Sequence, residues 1–221
     1  METTRSGAAV QPGNRPHFYY DQARPEVANL VPAECHRVLE IGCATGQLGR
    51  LLKARGHHVT GVELVPDVAK QARPWLDEVH IADVEQGLPF PPASFDAVIF
   101  ADVLEHLIDP WRVLRAAARL LSPDGCVVAS IPNFQHHSVL RGLLRGRWEY
   151  RDHGIADRGH LRFFTLRTIH GLFAQAGLEV VHVSYKYRRS WWRSLVCGLT
   201  LGKAREFYTR QYLVVGRLSS R

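Results

Sequence analysis

Two stretches of this chain carry side chains whose types and spacing suit chemistry. Asp102-Val103-Leu104-Glu105-His106 sets two carboxylates and an imidazole within five residues. That grouping suits proton transfer or the beginning of a metal-ligand set, which His160 or His137 could complete. With an unperturbed pKa of about 6.5, His106 and His160 can each take a proton at neutral pH. The chain holds 12 histidines, so a purely structural role is the alternative for both. A second series consists of Glu40, Glu63 and Asp83, each at or near the end of a short apolar run. Acids so placed can accept hydrogen bonds from a nucleoside.

The elements that must position these groups follow from local pattern. Arg37 to Ile41 is an apolar run that enters the small-residue turn Gly42-Cys43-Ala44-Thr45-Gly46, followed by Leu48, Leu51 and Leu52 at helical spacing. Strand, tight turn and helix in that order aim backbone N–H groups at a ligand. An ordinary strand-to-helix turn is the alternative. His58 to Val62 reads as a second strand ending at Glu63, about 20 residues after Gly42, where a ribose-binding acid belongs. Val79 to Asp83 reads as a third strand with an acid at its end. The glycine order, Gly42-x-x-x-Gly46-x-x-Gly49, is not the G-x-G-x-x-G of a dinucleotide site, so a nucleoside without phosphates fits better.

These residues resemble the class I S-adenosylmethionine-dependent methyltransferases. Glu40, Gly42, Ala44 and Gly46 match the E-x-G-x-G-x-G motif with alanine for the middle glycine. Phe95 to Phe100 matches the fourth strand, and Leu121 to Val127 the turn into the fifth. The resemblance implies an α/β, Rossmann-like, doubly wound seven-stranded sheet, mostly parallel with an antiparallel last strand. It implies S-adenosylmethionine as cofactor and S-adenosylhomocysteine as product. The implied contacts are Glu40, Gly42, Cys43, Ala44 and Gly46 in the turn, Glu63 with Leu64 at the ribose, Asp83 with Val84 at the adenine, and Ala101 with Asp102 at the end of the fourth strand. His106 and His160 are the expected catalytic bases. Asp102-x-x-Glu105-His106 is also similar to the E-x-x-E-H pattern of ubiquinone-biosynthesis O-methyltransferases and small-RNA terminal methyltransferases, some of which use a divalent cation. The shorter reach of Asp102 argues against ligation, and no metal is expected.

At 221 residues, with 46% hydrophobic and 22% charged side chains, the chain has the composition of an ordinary globular domain. Residues 1–16 read as a disordered tail and 17–221 as one domain. The absence of a signal-like start or a long apolar run suggests a cytoplasmic location. Four cysteines without C-x-x-C or zinc spacing read as free thiols, Cys43 and Cys126 among them buried. The net charge of +7 is concentrated at one end: from Tyr185 onward nine Lys and Arg meet a single acid, Glu206. Such an end suits an anionic partner, with a solvated basic face as the alternative.

Along the chain, His17-Phe18-Tyr19-Tyr20 leads into a helix near Arg24 to Leu30 and either lies over the cofactor or packs on the sheet. Trp111 to Leu121 reads as a helix with Trp111, Leu114, Ala118 and Leu121 on one face, stopped by Ser122-Pro123-Asp124-Gly125. Cys126 to Ile131 is an unbroken apolar strand. Residues 132–160, without a strong period, form an expected cap insertion after the fifth strand. Thr165 is the N-cap of a helix to Ala176, with Phe163 and Phe164 expected in the core. Leu178 to Val183 and Gln211 to Gly216 read as the last two strands. The basic, tryptophan-rich stretch within 188–205 suits a peripheral membrane or subunit contact.

The resemblance of Asp102 to Phe173 to a bacterial subgroup of small-molecule and saccharide pathways points to O-methylation of a small-molecule or saccharide hydroxyl. The alternative is a cofactor-binding partner protein with little catalysis, docked on another enzyme or a membrane. Nucleic acid is not an expected substrate: Ala101-Asp102-Val103-Leu104 stands where an amino-methylating enzyme carries N/D-P-P-Y/F.

Overall fold

A computed structural model describes residues 21–187, 200 and 204–219. The expected tail 1–16, the aromatic stretch His17 to Tyr20 and most of the basic stretch 188–205 lie outside the described residues. In chain order the elements are α1 (Pro25–Ala28), β1 (Arg37–Ile41), α2 (Gln47–Lys53), β2 (His58–Glu63), α3 (Pro66–Ala72), β3 (Glu78–Ile81) and β4 (Phe95–Ala101). A short 3₁₀ turn (Leu104–His106) precedes α4 (Pro110–Leu120) and β5 (Leu121–Pro132). Then come α5 (His137–Leu143), α6 (Leu166–Gln175), β6 (Leu178–Lys186), α7 (Arg205–Tyr208) and β7 (Gln211–Leu218).

The strands form one sheet in the order β3-β2-β1-β4-β5-β7-β6, parallel except for β7, which runs against both its neighbours. Alternation along each strand divides the core in two. Leu39, Ile41, Val98, Phe100, Val127 and Ala129 face α4 and α6 through Leu114 and Phe173. Val38, Val59, Ala97, Ile99, Cys126 and Val128 face Leu48, Leu52, Val27 and Leu76. The register brings the carboxyl ends of β1, β2 and β4 level, with Ile41 beside Val62 and Phe100. Because β7 is antiparallel, its first residue Gln211 lies at that same edge, beside Pro132 of β5 and Lys186 of β6.

Helix ends follow local chemistry. The Asp109 side chain accepts from Arg112 N at 3.0 Å, and Pro110 opens α4. Thr165 and Thr168 form a reciprocal capping box at the start of α6. Several expectations need correction. The helix expected near Arg24 to Leu30 is the single turn Pro25–Ala28. β3 stops at Ile81, and Asp83 lies in the loop beyond. β5 begins at Leu121 rather than Cys126, because Leu121 already pairs with Phe95 before a register shift. In α4, Val113 and Ala117 are buried while Trp111 is only half-buried, its ring under the guanidinium of Arg162. Phe164 is in the core, but Phe163 is exposed, stacking on Phe134 and Trp148. Among the described residues no helix is long and apolar enough to cross a membrane.

Candidate active site

The carboxyl edge of the sheet borders a cavity of about 820 Å³. At one end of it, the turn after β1 is built from three residues in the left-handed region: Gly42 (φ 69°), Ala44 (φ 48°) and Gly46 (φ 83°). A Cβ on Gly42 would lie 2.7 Å from Val103 Cγ2, so this position tolerates nothing larger. The N–H groups of Gly42 and Cys43 both donate to Val62 O, which stitches the turn onto β2. Buried Glu63 completes the join: Oε2 accepts from Ala44 N at 3.0 Å and Oε1 from Val65 N at 2.9 Å. Burial pushes the Glu63 carboxyl above its usual range despite these donors. Burial likewise pushes Glu40 up to about 8, opposed by the Gly49 N–H and reinforced by Glu63.

Asp83 Oδ1 accepts from Glu85 N at 2.9 Å. The Glu85 carboxylate in turn accepts from Ile108 N and Asp109 N, tying the loop after β3 to the loop after β4. Glu40, Gly42, Cys43, Ala44, Glu63, Leu64, Asp83, Val84, Ala101 and Asp102 all line the cavity, as do His106 and His160. Gly46 is not among these lining residues; a Cβ there would meet Ala72 at 3.1 Å.

Farther along, Asp102 is not grouped with Glu105 and His106. It forms an ion pair with Arg24 and accepts from Ser130 Oγ at 3.0 Å and from Gln211 Nε2. Arg24 also donates to Ser130 Oγ at 2.7 Å and to Glu26 at 3.1 Å. Both partners hold positive φ, 49° for Arg24 and 59° for Asp102, a conformation costing non-glycine residues roughly 1–3 kcal/mol. The ion pair and its hydrogen bonds hold them there.

Glu105, His106 and His160 come together instead, one possible ligand atom of each lying within 4.8 Å of the others. His137 is elsewhere, its ring against His136 and Tyr208. Glu105 is 1% exposed, neither carboxylate oxygen has a hydrogen-bond partner, and burial raises its pKa to about 8. Its Oε1 is 3.9 Å from His160 Nε2. His160 Nδ1 lies 3.2 Å from Ile155 O and His106 Nδ1 2.9 Å from Gly159 O. A carbonyl only accepts, so in these bonds Nδ1 carries the proton and Nε2 is the basic nitrogen of each ring. The rings meet edge to face at 4.7 Å. The turn bearing His160 is fastened by main chain: Leu161 N and Arg162 N both donate to Glu105 O, at 2.8 and 3.0 Å.

Sequence reasoning missed Arg24, Asp157, Lys186, Arg210 and Gln211, all of which line the cavity. The antiparallel last strand was the available signal for Gln211 and its neighbours, since it returns the chain to the carboxyl edge.

The methyltransferase domain family matches residues 15–183. A ubiquinone biosynthesis O-methyltransferase of Xylella fastidiosa is 33% identical over 142 residues, which cover 57% of this chain and 58% of that protein. A protein of the same description from Xanthomonas campestris pv. campestris is 37% identical over 113 residues, covering 48% and 47%. The chain thus spans only about half to three fifths of the length of these curated relatives. An S-adenosylmethionine-dependent methyltransferase of Archaeoglobus fulgidus shares the fold with a TM-score of 0.68 at 17% identity, over 88% of this chain and 94% of that one. None of these relatives supports the alternative of a non-catalytic partner protein. The match of the family over residues 15–183, most of the chain, makes it a member of the methyltransferase domain family, with S-adenosylmethionine as its cofactor.

Proposed function

We propose that the chain transfers the methyl group of S-adenosylmethionine to a hydroxyl oxygen of a small molecule or saccharide. Glu40, Gly42, Cys43, Ala44, Glu63, Leu64, Asp83 and Val84 hold the nucleoside, and Ala101 and Asp102 border the methionine end. The acceptor lies against the turn that ends at His160. As the oxygen–methyl bond forms and the sulfur–methyl bond breaks, His160 Nε2 takes the hydroxyl proton, leaving S-adenosylhomocysteine. The supporting observation is the fixed tautomer of His160, which presents Nε2 beside the buried Glu105 carboxylate. Burial raises the pKa of the Glu105 carboxyl to about 8, so it is largely protonated at neutral pH and would stabilise the imidazolium only by giving up its own proton. His106 stands next to it as the second base. Three buried free thiols, Cys35, Cys43 and Cys126, fit a reducing cytoplasmic setting.

His160→Ala should lower kcat by ~10²–10⁴ with cofactor affinity unchanged. A loss confined to KM would make His160 a positioning residue, and full activity would transfer the role to His106. The unpartnered carboxylate of Glu105 favours one further reading, in which Glu105, His106 and His160 hold a divalent cation. Such an ion would polarise the acceptor oxygen. Exhaustive chelation separates the two.

A further inference from the structure

We propose that the methyl acceptor carries an anionic group, a carboxylate or a phosphate, and that Arg210 binds it. The proposal rests on the methyl-transfer reading and adds the chemical class of the acceptor to it. Four long cations line the cavity: Arg24, Arg158, Lys186 and Arg210. Three have carboxylates within the protein. Arg24 meets Asp102 and Glu26, Lys186 Nζ meets Glu26 Oε1 at 2.6 Å, and Arg158 meets Asp152 at 2.8 Å. Among the described residues, the Arg210 guanidinium has no carboxylate partner.

Its main chain, by contrast, is fixed. Arg210 N donates to Lys186 O, and Arg210 O accepts from Asn133 N, both at 2.9 Å. Arg210 therefore sits where β5, β6 and β7 meet at the carboxyl edge. From there the side chain crosses to the turn that bears His160: its Nη2 lies 4.0 Å from where a Cβ on Gly154 would stand. Gly154 and His160 line the same cavity. An acceptor hydroxyl against His160 thus shares its cavity with an exposed guanidinium that reaches from the start of β7 to Gly154, on the turn leading to His160.

A guanidinium offers a planar fork of donors that matches a carboxylate or phosphate with two parallel hydrogen bonds. Beside a cavity, the charge of an exposed arginine such as Arg210 raises the local concentration of anionic ligands.

The experiment uses the full chain saturated with S-adenosylhomocysteine, titrated with inorganic phosphate at constant ionic strength and followed by phosphorus NMR. Saturable binding is expected, weakened at least tenfold in Arg210→Gln and retained in Arg158→Gln. The affinity for S-adenosylhomocysteine should be the same in Arg210→Gln as in the parent chain. Transfer of labelled methyl is then compared for catechol and 3,4-dihydroxybenzoate, which differ only in a carboxylate. The carboxylated acceptor should be preferred by the parent chain and the preference erased in Arg210→Gln. Absence of phosphate binding, or binding indifferent to Arg210→Gln, overturns the proposal. So does a loss of S-adenosylhomocysteine affinity in that variant, which would assign Arg210 to the cofactor. If instead the methyl-transfer reading is wrong, S-adenosylhomocysteine itself fails to bind the parent chain, a result distinct from any of these.

Discussion

Glu63→Ala tests the nucleoside site most directly, because the same carboxylate has a structural and a binding duty. One oxygen accepts from Ala44 N and the other from Val65 N, at 3.0 and 2.9 Å. Removing the carboxylate strands both N–H groups at the floor of the cavity. It also removes the acceptor proposed for the ribose hydroxyls. A hydrogen bond to a charged group is worth about 1.5–3 kcal/mol, and part of this is offset here by the cost of keeping Glu63 charged while buried. We therefore expect cofactor binding to weaken by about 1–3 kcal/mol, roughly 5- to 150-fold in Kd. Loosening of the turn should cost a similar amount of stability, or roughly 2–4 °C in Tm per kcal/mol for a chain of this size. Calorimetric titration with S-adenosylhomocysteine measures the first quantity and a melting curve the second. A variant that melts lower yet binds with unchanged Kd would refute the ribose assignment and reduce Glu63 to a clamp on the turn.

Asp83→Ala should weaken cofactor binding by about 1–3 kcal/mol with little change in Tm, since its one resolved intramolecular bond is to the neighbouring Glu85 N; calorimetry and melting together decide it. Glu40 has a folded pKa of about 8 against 4.5 when exposed, so its contribution to stability is full below pH 4.5 and is lost as pH rises through 8. Glu40→Gln, which cannot titrate, should accordingly gain stability relative to the parent chain over that window, by up to about 3–5 kcal/mol in urea unfolding of the cofactor-free protein; a pH-independent difference would show that Glu40 is not the titrating group. Exhaustive chelation should leave methyl transfer intact, and activity lost to EDTA and restored by magnesium or zinc would instead assign Glu105, His106 and His160 to a cation.

What could be read from the sequence was local. The Gly42 to Gly46 turn, the acids Glu63 and Asp83 and the capped helix after Thr165 each declare themselves within a few residues, because a turn needs small residues and a helix needs a cap. Gly46 shows the limit of such reading. It obeys the same motif as Gly42, but its close packing on Ala72, in the next crossover helix, is set by tertiary structure that the motif does not encode. Phe163 and Phe164 are indistinguishable in composition, and the backbone sends one to the core and one to the surface. Asp102 stands apart from Glu105 and His106 for a longer-range reason. Its hydrogen-bond partners Ser130 and Gln211 come from β5 and β7, and its countercharge Arg24 precedes the sheet altogether. Sequence spacing carries no information about pairings of that range.

The proposed acceptor side owes its geometry to main chain more than to side chains. Glu105 O holds Leu161 N and Arg162 N, so the residue that contributes the buried carboxylate also anchors the strand of chain leaving His160. His160 N is held by Asp157 O, and its ring by Ile155 O. On the far wall, Arg210 is pinned by backbone bonds to Lys186 and Asn133. Apart from the His160 ring bond to Ile155 O, these bonds run from main chain to main chain. Substituting Glu105, His160 or Arg210 therefore removes a carboxyl, a base or a charge while the main-chain bonds that aim it remain. That separation is what allows changes in kcat, in phosphate binding and in cofactor affinity to be assigned to individual side chains rather than to collapse of the turn.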